Sequence, residues 1–350
     1  MSAKLLVYGA NGFVGERVAR AARAAAVTTV LGGRHDRKLR PIASDLNVEA
    51  RTFDLSNRRI LAAALEGVAV LLNCAGPFKH TAEPLAKACL GTGVHYLDIT
   101  GEIPVYEALQ ARDAEAKARG VMLLPGAGFD VVPTDCLALH LKRRLPTATR
   151  LRLAFQAVGP AGPPPGTQRT AIELLDYGDR VRRNGELIHP RQPWTIAVDF
   201  GEGPVDAALI PWGDVFTAYY STGIPNIETY IAAPPTLRRV MAAGRLIAPW
   251  TKWAPVRNLL QMSVRPGPSA ELTRRTRTHV WGEVVDDQGR RAEARLHGPE
   301  AGVVWTTATA LGAARKALGG LAPAGYQTPA SAYGPDFPLE TEGVTREDVI

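Results

Sequence analysis

The first residues whose types and spacing could do chemistry are three glycines. Gly9, Gly12 and Gly15 recur every third position directly after the apolar run Lys4–Tyr8. Small residues there let a backbone turn tightly and approach a diphosphate, whose charge then rests on the amides that open the next helix. The turn Gly9, Asn11, Gly12, Phe13, Val14 and Gly15 is therefore expected to cradle the phosphates of a dinucleotide. Glycine triplets also arise by chance, but this one sits at the first strand-to-helix turn, where the chemistry needs it. The next strand ends in Gly32-Gly33-Arg34, at the point where a site for NAD carries a carboxylate for the ribose 2′-hydroxyl. Arginine suits a 2′-phosphate, which it can clasp through two parallel hydrogen bonds, so the expected cofactor is NADP(H). Asp36 comes two residues too late to reverse that. Asp54, after the third strand, either accepts a hydrogen bond from the adenine amine or caps the following helix.

Later strand ends carry the other candidates. Ala75, Gly76 and Pro77 form a loop that a nicotinamide ribose could approach, followed at once by Lys79 and His80. Asp98, Glu102 and Asp130 would set three carboxylates near a reactive ring, where crowding of like charge raises at least one pKa and suits a proton donor. Lys79 could polarise a substrate oxygen. The plainer alternatives are that Asp98 and Asp130 cap loops or helices, that Glu102 pairs with an arginine, and that His80 is solvated. One route is closed: none of the nine tyrosines has a lysine four residues later, which removes the Tyr-xxx-Lys chemistry of short-chain dehydrogenases.

These residues need a scaffold, and the pattern supplies one. Through residue 135, apolar strands alternate with helices, the sign of a parallel sheet covered on both faces. From Leu151 the strands alternate with period two, and Thr276–Val285 and Arg290–His297 flank a turn at residues 286–289, as in a hairpin. The expected fold is α/β: a Rossmann-type parallel-sheet domain (1–135), an inserted α+β domain on a largely antiparallel sheet (136–305), and a C-terminal helix and tail (306–350) returning to the first. The aromatic stretch 211–231, with no helical period, reads as a loop that could wall a substrate. Residues 237–262 are amphipathic in patches, with Trp250 and Trp253. Pro249 and Pro255 break them into short helices, expected to pack on the second sheet rather than touch a membrane.

Composition narrows the class. The chain has 350 residues, 46% hydrophobic and 21% charged, long enough for two cores. No run is long enough to span a bilayer and no secretory signal opens the chain. The net charge of +7 comes from scattered arginine pairs rather than a coherent basic stripe, so nucleic acid is not an expected partner. It suits an anionic cofactor or an acidic carrier protein, and a homodimer is compatible. Cys74, Cys89 and Cys136 show no metal-ligand spacing and read as reduced cytoplasmic thiols, so no metal is expected.

Seven segments together carry a resemblance: GANGFVG, GGR, NCAGPF, HYLDITGE, GFDVVPTD, STGIP and TPASAYG. In this order they resemble the saccharopine-dehydrogenase-like oxidoreductases, a family that includes trans-acting enoyl reductases. The resemblance implies NAD(P)H as cofactor and a site in a cleft between the domains. It also implies that Arg34 contacts the 2′-phosphate, that Gly76 and Pro77 lie on the nicotinamide side, and that Phe129, Asp130 and Pro133 form a loop under the ring. Taken together, a reductase acting on a C=C or C=N bond of a small or carrier-linked, acyl-type substrate is expected. An NADP(H) sensor without turnover and a peripheral lipid-associated protein are the rivals.

Overall fold

The computed structural model describes residues 3–191 and 194–350; Met1 and Ser2, at the expected entry to the first strand, lie outside them. The chain forms two compact units, Met1–Phe129 with Val303–Ala332 and Asp130–Gly302 with Tyr333–Ile350.

In the first unit the strands are β1 (Lys4–Tyr8), β2 (Thr29–Gly33), β3 (Glu49–Thr52), β4 (Val68–Asn73), β5 (His95–Asp98) and β6 (Met122–Leu124). A late strand of this sheet, Gly325–Tyr326, runs parallel to β6. All neighbours pair in parallel, with β1 between β2 and β4 and the order reversing there. Ligands of such sheets bind outside the carboxyl ends of the strands at that reversal. The central strands β1, β4 and β6 are mostly apolar because helices cover them, while the edge strand β3 is polar and has no buried residue. The helix Thr306–Leu318 packs on β1, β4, β5 and the helix Phe13–Ala24. Its alanines Ala310, Ala313 and Ala314 are wholly buried, which lets it lie close.

The second unit carries β7 (Arg150–Val158), β8 (Val181–Arg183), β9 (Glu186–Ile188), β10 (Thr195–Asp199), β11 (Pro204–Leu209), β12 (Asn226–Ala232), β13 (Arg277–Val285) and β14 (Arg291–Pro299). With Gly325–Tyr326 numbered β15, the last strand is β16 (Thr345–Asp348). The sheet runs β10-β11-β12-β7-β13-β14-β16, with β8 and β9 attached beside β12. Its pairs are antiparallel except β12 with β7. The helix Val132–Arg144 lies across β7, β13 and β14. Gly282 makes room for it, since a Cβ there would come 2.7 Å from Leu141. Tyr230, Trp281, Leu209, Val198 and Phe200 form a buried apolar cluster in this unit, with Trp194 packed against it.

Two expectations about elements are corrected. The tail does not return whole to the first unit: β15 does, but residues 333–350 join the second, where β16 pairs antiparallel with β14 and Arg144 reaches the Ile350 carbonyl. The stretch 211–231 is no loop. Asp214–Thr222 is a helix ended by Gly223 in a left-handed conformation, and it packs on the helix Val132–Arg144. Burial of Val215 and Ala218 on that partner overrides the weak helical period of a segment rich in aromatic and hydroxyl side chains.

Candidate functional site

The glycine turn is shaped around close backbone approach. Gly9 has φ +78°, where a side chain is strained, and a Cβ on it would come 2.8 Å from that of Ala75. A Cβ on Gly15 would come 2.3 Å from the Gly9 carbonyl oxygen, which already accepts the Gly12 amide at 2.8 Å. Gly12 caps the helix Phe13–Ala24 and has no side chain to occupy its first-turn amides. The helix end thus keeps donors aimed outward at the carboxyl edge of the sheet, the arrangement a diphosphate requires. Gly9, Asn11, Gly12, Phe13, Val14 and Gly15 all lie on this turn, and Ala75 closes it from β4's end.

Arg34 stands exposed just past β2, and no acidic side chain pairs with it among the described residues. It lies near enough to Tyr8 to oppose the rise that burial gives that phenol, whose pKa is pushed up to about 12. Asp36, the acid that could have selected NAD, is engaged elsewhere: it accepts from the Thr52 hydroxyl at 2.8 Å and pairs with Arg40 at 2.5 Å. Those hydrogen bonds hold its pKa below the ordinary carboxylate value. The geometry therefore leaves a free guanidinium and a committed carboxylate where the 2′-position of the adenosine ribose would lie. Asp54 accepts from the amide and hydroxyl of Ser56, and Asn57 caps the helix Arg58–Ala64. The expectation that Asp54 might cap that helix is corrected; the residue shapes the turn before it.

At the next strand ends the sequence candidates take on anchoring contacts. Glu102, 1% exposed, accepts from the backbone amides of Phe78 and Lys79, one per carboxylate oxygen, both at 2.8 Å. It thereby pins the loop of Ala75, Gly76, Pro77, Lys79 and His80 to the end of β5. Asp98 is fully buried. Its Oδ1 accepts from the amides of Thr100 (3.0 Å) and Gly126 (2.9 Å), and its Oδ2 from the Tyr96 hydroxyl (2.8 Å). Burial pushes its pKa up to about 7 despite those three donors, and the charge of Glu102 adds to the rise. Tyr96 in turn accepts from the Asn73 amide, whose oxygen takes the Ala75 amide. The ends of β4, β5 and β6 are thus tied by one buried network, Asn73–Tyr96–Asp98–Gly126.

Glu102 commits both oxygens to backbone amides, and Asp98 commits Oδ1 to backbone amides and Oδ2 to the Tyr96 hydroxyl, while Lys79 and His80 on the pinned loop face solvent. Asp130 is half-buried and belongs to the second unit, where its charge helps raise the pKa of Asp214. Asp214 is wholly buried and held well above the carboxylate range, first by desolvation and then by Asp135. Thr134 donates to Asp214 at 2.9 Å and Ser221 to Asp135 at 2.6 Å. Sequence reasoning missed Asn73, Tyr96 and Asp214. Tyr96 and Asp98 stand two apart on one strand and so share a face, which was a usable signal; Asp214 lay inside the stretch misread as a loop.

Residues 5–124 match the family model of the saccharopine dehydrogenase NADP binding domain. Over 201 residues the chain is 30% identical to the human saccharopine dehydrogenase-like oxidoreductase, covering 50% of this chain and 46% of that one. Over 149 residues it is 31% identical to the trans-acting enoyl reductase of Mycobacterium leprae (strain TN), covering 40% and 36%. The match therefore spans half or less of these relatives' length. Among solved structures, apo saccharopine dehydrogenase (L-Glu forming) from Saccharomyces cerevisiae aligns over 100% of both chains with TM-score 0.69 at 10% identity, a likeness of fold.

Proposed function

We propose that this chain, whose residues 5–124 match the saccharopine dehydrogenase NADP binding domain, is an NADP(H)-dependent reductase or dehydrogenase acting on a C=C or C=N bond of a small or carrier-linked substrate. The observation that carries the cofactor half of this reading is the pairing of the glycine cradle with an uncommitted Arg34 and a committed Asp36. Bound NADPH supplies the hydride. Glu102 and Asp98 act as positioning residues, holding in place the loops at 76–80 and 126–128 that would receive the nicotinamide. His80 supplies the proton from the exposed end of the pinned loop, with Lys79 beside it to polarise a substrate oxygen and Asp130 as the alternative donor. The three thiols, free in the structure, accord with a reducing cytoplasm.

The experiment is deuterium transfer. The chain is mixed with NADPH deuterated at C4 and with a panel of enoyl thioesters and imines, and products are read by mass spectrometry. Label in a product, lost in His80→Ala with NADPH affinity unchanged, supports the proposal. NADPH binding with no label in any product would instead favour a sensor that binds without turnover.

A further inference from the structure

The segment 235–262 of the second unit is built inside out. Its helices run Pro235–Ile247 and Ala254–Met262, joined by a 3-10 stretch at Ala248–Lys252, breaking at Pro249 and Pro255 as the sequence suggests. An ordinary surface helix turns its charges to water and its apolar stripe to the core. Here Arg245 turns inward to Asp179 and Arg257 to Glu173, Gln261 bonds the Glu173 side chain, and Arg238 pairs with the exposed Asp206. The apolar residues face out: Val240, Leu246, Leu259 and Met262, with Trp250 at 65% and Trp253 at 64% exposure. The expectation that the tryptophans pack on the second sheet is thereby corrected.

Charge identifies the occupant. None of residues 229–270 is acidic and six are basic. Once the three pairs above are formed, Arg239, Lys252 and Arg265 stand exposed with no acidic partner among the described residues. A second copy of the chain would bring the same cations against these and be repelled. We propose that this face docks on an anionic phospholipid surface, with Trp250, Trp253, Leu259 and Met262 entering the headgroup boundary and Arg239, Lys252 and Arg265 on the phosphates. No helix of the described residues is long and apolar enough to cross a membrane, so the attachment is peripheral.

The test is co-flotation of the whole chain with vesicles of phosphatidylcholine alone or with phosphatidylglycerol added. Binding should require phosphatidylglycerol and weaken with salt. The W250A/W253A double variant should lose about tenfold or more in partitioning while its NADPH affinity stays at the wild-type value. R239E/K252E, which leaves every aromatic in place, should lose the phosphatidylglycerol dependence. Absence of binding to either vesicle overturns the proposal, as does binding that both variants retain. Self-association in place of flotation, or flotation outcompeted by an acidic carrier protein at stoichiometric amounts, assigns the face to a protein and overturns it too.

Discussion

At the scale of single residues, the cofactor reading rests on Arg34. A charge-assisted contact to a 2′-phosphate is worth enough that Arg34→Ala should weaken NADPH by roughly tenfold to a hundredfold and leave NADH nearly unchanged. Equal losses, measured by titrating protein fluorescence, would show that the guanidinium reads something else. Gly15→Ala should abolish both cofactors' binding, because its methyl meets the Gly9 carbonyl and the turn must open; tight binding by that variant would contradict the cradle. Asp98 gives a prediction in pH. Its pKa is raised from 3.8 to about 7 in the fold, so the folded state binds the extra proton between those values. Its contribution is full below pH ~4 and is lost as pH rises through about 7, up to roughly 4 kcal/mol. Urea unfolding from pH 4 to 8 should show wild type losing stability relative to Asp98→Asn; parallel curves would remove this account of Asp98.

At the scale of elements, the sequence was legible where one force dominated. Continuous apolar strands ending in GANGFVG and NCAGPF announced the parallel sheet, because burial on both faces leaves no polar alternation to confuse with helix. The turn at residues 286–289 announced the β13–β14 hairpin for the opposite reason, a clean period of two. Asp214–Thr222 was hidden because its helicity comes from tertiary packing, not from propensity. The acids were found by type but not by role: Asp98 and Glu102 look like proton donors in a list of carboxylates, and only the fold shows backbone amides on their oxygens. The last strand was equally invisible, since Thr345–Asp348 has no apolar pattern and is held by pairing with β14 and by His140 and Arg144 on Asp348. Removing residues 343–350 should lower stability by about 2 kcal/mol or more, seen as an earlier urea midpoint for the second unit. An unchanged midpoint would mean the strand is an ornament.

At the scale of the whole molecule, the chain divides its work between two units of different construction. The first presents the carboxyl edge of a parallel sheet, with strand ends cross-tied through Asp98 and Glu102 so that the loops at 76–80 and 126–128 are held in place. The second offers a mixed sheet, a buried acid pair at Asp135 and Asp214, and an apolar, cationic face aimed at solvent. A reductase with a peripheral lipid attachment would meet acyl-type substrates where they concentrate, which joins the two proposals without making either depend on the other. The measurement that bears most directly on the central claim is calorimetric titration of the intact chain with NADPH and, separately, NADH. The account predicts one site per chain and NADPH binding tighter than NADH by about tenfold or more. Equal affinities, tighter NADH, or no heat with either nucleotide would contradict it.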